Sequence, residues 1–547
     1  MEINKQHTPI DEPVSELNIE TLASISKEIT SKTVKDEDSK NLLNRVFEIS
    51  QRRLNENLKL GNPASWLLEA YKQTFLWTAV YREPDAKIFT SPKELAPVGR
   101  FGWRFVIETI LINGTSNTLQ RRKPSKEEVG RVFTILSVMA MAAEYSNFIH
   151  FFPDIYGNVR FDLSEEFGLL MPILPDEAEQ KMIERSRYMK ASDEEHWKEL
   201  NIHRAAADEQ YIKQKLSEAL LKTKGFSLNQ VNIVFETLKD KVLNSGYVLI
   251  IPGEYLLDWV SDESKLPRAV VIKIMNFILL SSKNIESNKR SFLDKKDPIR
   301  MINFAGIRID HLKYQASIYP KNSLNQPHIK KASWHVIINI FLVAEWHDVF
   351  MHRCRIGQRT DLKSESGLNL ALEEIEQYQR INVFESVVTD ILHRSNCVTL
   401  KGIKKWRAHD GTMASIPCGE IDLIAYNKKS RTIYIIECKA TAPVTDSRGQ
   451  SQQYRDHFVQ KKYHSKFIKK INWVKEHLRD PALTVKLEID NQEIEPINIA
   501  PILVTRYPSI IKFYSHEYQV VTYSELYKML TDQAGTPYKQ NGIPRTP

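Results

Sequence analysis

The chain has 547 residues, 42% hydrophobic and 26% charged, with only 19 glycines. That composition excludes collagen-like, mucin-like and wholly disordered proteins. Lys and Arg number 76 against 68 Asp and Glu, a net charge of +8, which permits a polyanionic partner without requiring one. The length predicts three or four folded units at about 150 residues each. None of the four cysteines (354, 397, 418, 438) lies in a C-x-x-C pair. Neither a disulfide framework nor a zinc ribbon is therefore expected. Cys354 with His352 would be half of a metal site, and no second half follows. Buried free thiols are the better expectation, and they suit a reducing cytoplasm.

Residues 1–42 are polar and are expected to be loosely ordered, without the pattern of a signal peptide. Residues 43–182 read as a helical domain. Trp66, Leu67, Ala70, Phe75 and Trp77 cluster in one stretch, and Val132, Leu136, Met139 and Ala143 recur at helical spacing in another. Residues 183–225 mix both charge signs and read as a charged helical connector. Residues 226–365 return to apolar segments and predict a mixed, mainly helical domain, with a strand over 247–251 and a helix over 270–280. The longest apolar runs, 132–143 and 336–344, fall short of the roughly 18–20 residues of a membrane span and are expected as buried helices. Up to residue 360 there is no G-x-x-x-x-G-K-[ST] loop, no G-x-S-x-G elbow and no H-E-x-x-H helix. Any ATP-driven step would need a separate ATPase or sensor subunit. The polar stretch 360–366, followed by Gly367, reads as a linker into residues 366–530. Residues 531–547 read as a flexible tail.

The chemistry concentrates in the C-terminal third. Residues 381–547 hold 24 Lys and Arg against 17 Asp and Glu, so this part carries +7 of the +8. Residues 419–426 (GEIDLIAY) and 431–439 (RTIYIIECK) read as two strands joined by a turn at 427–430. Side chains alternate along a strand, so Glu437 and Lys439 share a face. Hairpin pairing can bring Asp422 beside Glu437. Two carboxylates so close repel unless a cation or proton lies between them. Oxygen ligands of this kind suit Mg²⁺, with Mn²⁺ as substitute. Lys439 is placed to hold water or to screen a phosphoryl oxygen. An ordinary exposed hairpin rim is the bland alternative for an isolated E-x-K.

Taken together, this segment resembles the PD-(D/E)XK nuclease superfamily. Asp422 matches the acidic residue of the first motif strand, and Glu437-Cys438-Lys439 matches the (D/E)XK element. The resemblance implies an α/β C-terminal restriction-endonuclease-like domain, a central mixed sheet flanked by helices, preceded by a large, mainly α-helical N-terminal region. It also implies catalytic roles for Asp422, Glu437, Lys439 and Glu385, with Asp422, Glu437 and Glu385 as metal ligands. Glu385 lies on an amphipathic helix at 382–392, and Glu374 and Glu376 are fallback candidates. The family's proline before the acidic residue is missing: Pro417 stands five residues before Asp422, with Gly-Glu-Ile on the approach. Glu420 shares the face of Asp422 by alternation. Gln450 and Tyr454 resemble the Q-x-x-x-Y element of RecB-like members. Lys461, Lys462, Lys466, Lys469 and Lys470 flank an apolar stripe of Tyr463, Phe467, Ile471, Val474 and Leu478, either as a solvated face or as nucleic-acid contacts. A strand over 497–505 and a strand and helix over 518–530 complete the expected core.

The expected activity is Mg²⁺-dependent cleavage of DNA, in a setting similar to prokaryotic restriction or anti-phage defence. The alternatives are an inactive nuclease fold that binds nucleic acid or a partner, and an RNA-directed nuclease. A homo-oligomer would suit double-strand cutting.

Overall fold

In the computed structural model, the described residues are 13–32, 38–82, 95–113, 122–151, 160–163, 170–173, 180, 184–185, 187–188, 205–245, 248–281, 304–310, 333–355, 366–407, 413–440, 444, 447–489 and 497–532. The chain divides into two compact units. One comprises residues 1–175, 216–353 and 359–369; the other comprises 176–215, 354–358 and 370–547. The proposed linker at 360–365 and the tail beyond 532 lie outside the described residues.

The first unit opens with five helices: α1 (Ile19–Lys32), α2 (Ser39–Lys59), α3 (Pro63–Arg82), α4 (Ala96–Asn113) and α5 (Lys126–Phe151). The expectation of a loose N-terminus fails for α1. Leu22, Ile25 and Ile29 recur at three- and four-residue spacing and are buried in the helical core. Asp38 caps α2, accepting the backbone N–H groups of Lys40 and Asn41 at 2.8 and 3.0 Å. By length and composition α5 could cross a bilayer, yet 56% of its apolar window is buried inside the fold.

A hairpin follows, β1 (Arg160–Leu163) with β2 (Leu170–Ile173), and then α6 (Ala205–Lys224), through which the division of the chain passes. In the stretch expected as a charged helical connector, α6 is helical and carries a buried stripe of Ile212, Leu216 and Leu220. Next come α7 (Leu228–Ser245), β3 (Val248–Pro252), α8 (Gly253–Ser264), α9 (Arg268–Ile278), β4 (Leu279–Leu280), β5 (Gly306–Asp310), β6 (Trp334–Asn339) and α10 (Ile340–Arg355). The strands form a sheet in the order β3-β6-β5-β4. The apolar run 336–344 is thus a strand that turns into a helix, not one buried helix. Val336, Ile337 and Ile338 pair with strands on both sides, which satisfies their backbone and suits β-branched side chains.

The second unit contains α11 (Ser366–Tyr378), whose first residues belong to the other unit. After it come a π-helical turn (Gln379–Phe384), α12 (Glu385–Arg394), β7 (Cys397–Ile403), β8 (Lys405–Arg407), β9 (Met413–Ser415), β10 (Ile421–Asn427) and β11 (Thr432–Lys439). Then follow α13 (Ser447–Arg455), a second π-helical turn (Asp456–Gln460), α14 (Tyr463–His477), α15 (Pro481–Lys486), β12 (Asn498–Thr505), β13 (Gln519–Thr522) and α16 (Tyr523–Asp532). Five strands make a mixed sheet in the order β13-β12-β11-β10-β7. The β7, β10 and β11 neighbours run antiparallel, while β11, β12 and β13 run parallel. This is the mixed α/β architecture expected of the C-terminal third.

The central strand β11 is buried from Thr432 to Cys438, and only Lys439 at its end is partly exposed. Its hairpin with β10 closes through Asn427, whose side-chain oxygen accepts the Ser430 N–H at 3.0 Å. One core of this unit joins α12 (Val388, Ile391) to β10 (Leu423, Ala425), β11 (Ile436) and α16 (Leu526).

Candidate functional site

The last ladder pair of the β10–β11 hairpin is Leu423 with Ile436. One step further, the register sets Asp422 opposite Glu437 with both side chains on one face. The Cys438 backbone N–H donates to Asp422 Oδ2 at 2.8 Å. Lys439 Nζ donates to Glu437 Oε1 at 2.8 Å, as the alternation of β11 requires. A fourth group enters from α14: Lys470 Nζ lies 2.5 Å from Glu437 Oε2 and 3.9 Å from Asp422 Oδ1.

Burial raises the cost of charge here. Asp422 is pushed up to about 6, by burial first and by the Glu437 charge second. Glu385, at the start of α12, is pushed up to about 7 by burial and by the Asp422 charge, which ties it electrostatically to Asp422. Burial works against the Lys439 charge, but the charge and hydrogen bond of Glu437 outweigh it and raise its pKa. Lys439 is therefore held as an ammonium, a donor and not a base. Its Nζ also lies 4.5 Å over the Tyr463 ring.

The donor set fits a hard divalent cation. Asp422, Glu437 and Glu385 supply oxygens only, the ligand type such an ion takes, and burial, more than the neighbouring negative charge, is what raises Asp422 and Glu385. Among the described residues no three His, Cys, Asp or Glu side chains form a ready-made metal cluster. The strand carboxylates face the Lys470 ammonium instead.

The other sequence candidates divide into two groups. Gln450 is buried on α13, and Tyr454, one turn on, packs its ring against Phe458 and Tyr514 at 5.0 and 4.7 Å. Lys461, Lys462, Lys466 and Lys469 are exposed. Lys461 pairs with Asp456 at 2.7 Å, while Lys461 and Lys466 stand 5.9 and 5.7 Å from the Tyr463 ring centre. Lys461 and Lys466 thus form a basic rim around the same ring as Lys439. Lys470 does not belong to that rim, since its side chain is only 9% exposed. Of the fallback glutamates, Glu374 pairs with Lys215 at 3.0 Å, and Glu376 is exposed, with its charge acting on Lys461. Glu420 is exposed, with Lys404 at 3.5 Å.

Two features escape a reading of the sequence. The inward position of Lys470 has a signal, because 470 lies three residues after Phe467 and four before Val474, on the buried stripe. The second is a buried polar cluster. His457 Nε2 and the Tyr518 hydroxyl share a hydrogen bond at 2.5 Å, and His464 Nδ1 lies 3.1 Å from the same hydroxyl. Nothing in the spacing of these residues announces that grouping. The predicted free thiols are borne out, with Cys354, Cys397 and Cys438 buried and Cys418 partly so. Compared with known proteins, the chain matches no family model, no curated protein and no solved structure.

Proposed function

We propose that the chain is a Mg²⁺-dependent DNA endonuclease of the PD-(D/E)XK type, with its active centre in the second unit. A prokaryotic restriction or anti-phage role is the setting we infer from the resemblance. The observation that carries the reading is the meeting of Asp422, Glu437 and Lys439 at the adjoining ends of β10 and β11. A binding module has no use for carboxylates aimed where phosphate would lie, because like charges repel. Asp422, Glu437 and Glu385 would hold Mg²⁺, which supplies Lewis-acid polarisation and an activated water when bound.

The chain's own groups account for the rest. Lys439, kept protonated by Glu437, can donate to a non-bridging phosphate oxygen or fix the attacking water. The exposed lysines at 461, 462, 466 and 469 offer screening charge for a nucleic-acid backbone. The mixed sheet, with α12 and α14 contributing Glu385 and Lys470, is compatible with a restriction-endonuclease-like core.

Incubation with plasmid, linear duplex, single-stranded DNA and RNA, each with Mg²⁺ and with EDTA, tests the proposal. Cleavage of a DNA substrate with Mg²⁺ or Mn²⁺ is expected. Ca²⁺, larger and looser in geometry, is expected to bind with little turnover. Full cutting in excess EDTA, or no cutting of any substrate, overturns the reading. Cleavage of RNA alone replaces DNA as the substrate.

A further inference from the structure

The two oxygens of Glu437 are both taken, Oε1 by Lys439 and Oε2 by Lys470. Lys470 also comes within 3.9 Å of Asp422, so its ammonium stands where the negative potential of the two carboxylates overlaps. It reaches there from α14, a different element from the strands that carry the acids. Nine per cent side-chain exposure leaves it little water to replace these partners. A monovalent ammonium thus performs at this spot the neutralising task a divalent ion would perform, and two cations so close to each other repel strongly. We propose that Lys470 is the resident counter-cation of the Asp422–Glu437 pair, displaced when a divalent metal binds. Metal loading then frees a second ammonium, beside Lys439, for the substrate phosphate. The inference rests on the nuclease reading for its metal and adds to it a coupling between metal occupancy and the position of α14's lysine.

The test is Mn²⁺ binding to the full chain without nucleic acid, followed by electron paramagnetic resonance, with the melting temperature of the metal-free protein alongside. Lys470→Met removes the competing charge at similar length. It is expected to tighten Mn²⁺ binding by on the order of tenfold or more. The same variant should melt lower without metal and be raised further by Mn²⁺ than the wild type is. Lys470→Arg keeps the charge and adds a forked donor suited to carboxylates, so Mn²⁺ binding should weaken. Unchanged or weaker Mn²⁺ binding in Lys470→Met overturns the proposal. If Lys470→Met does not fold, Lys470→Arg decides: Mn²⁺ affinity equal to or above wild type overturns it. A wild-type chain that cleaves DNA while its Lys470→Met variant gains no Mn²⁺ affinity loses the counter-cation role and keeps the nuclease reading. A wild-type chain that binds no Mn²⁺ loses both.

Discussion

The Asp422 carboxylate accepts the backbone N–H of Cys438 at 2.8 Å, one residue beyond the glutamate it faces. The bond fixes the acid against β11 at the point where the regular ladder ends. It also gives Asp422 a structural part to play in addition to the chemical one proposed for it.

That double role separates two substitutions. Asp422→Asn keeps an oxygen for the Cys438 N–H and removes a charge that Glu437 repels, so cleavage should disappear with the melting temperature unchanged or slightly raised. Asp422→Ala removes the acceptor too, and an unmet buried N–H costs about 1–3 kcal/mol. It should therefore be inactive and less stable than Asp422→Asn. Wild-type cutting rates in either variant would sink the assignment of Asp422.

Lys439→Ala distinguishes chemistry from affinity. If Lys439 acts on the reacting phosphate, the single-turnover rate at saturating substrate should fall by about 10²-fold or more. Lys469→Ala, on the exposed face of α14, is the matched control. It should weaken binding and lower the salt slope by about one unit, with the saturated rate preserved. Identical behaviour of the two variants removes Lys439 from catalysis.

The His457–Tyr518 bond carries a pH signature. Burial, aided by the charges of His464 and Lys439 and opposed by Glu437, pushes His457 from 6.5 down to about 4. Tyr518, pushed up to about 12 mainly by burial, stays a phenol throughout. The unfolded chain takes up a proton at this histidine below about pH 6.5, and the folded chain does so only near 4. Stability present above pH 6.5 is thus lost as pH falls towards 4, by up to about 3 kcal/mol. In His457→Gln the drop in melting temperature between pH 7.5 and 4.5 should shrink. An equal drop in both proteins would show that other groups govern the acid response.

In the first unit, Gly99 sits on α4 against Trp77 of α3. A Cβ at 99 would come within 2.3 Å of the Trp77 ring, which itself stacks on Phe133 at 5.3 Å. Gly99→Ala should destabilise this unit by about 1–3 kcal/mol through overpacking. Thermal unfolding checks it, and a melting temperature at or above wild type would mean the two helices can part without cost.

By itself, the sequence determined the elements whose pattern is local. The alternation of β10 and β11 placed Glu437 and Lys439 on one face, and their hairpin turn put Asp422 within reach. The stripe Phe467, Ile471, Val474 marked α14, because one helix face must be buried wherever the helix packs. Local pattern misled where burial on both sides hides the period. The run 336–344 is apolar throughout, and only pairing with β3 and β5 makes its first part a strand. Polar composition likewise masked α1, whose three buried residues suffice once other helices cover them. Tertiary structure alone decided that the buried face of α14 brings Lys470 to Glu437, and that His457, His464 and Tyr518 meet. The physical reason is distance along the chain. Glu437 and Lys470 are 33 residues apart and His457 and Tyr518 are 61, and no periodicity within one element encodes which face of it meets another.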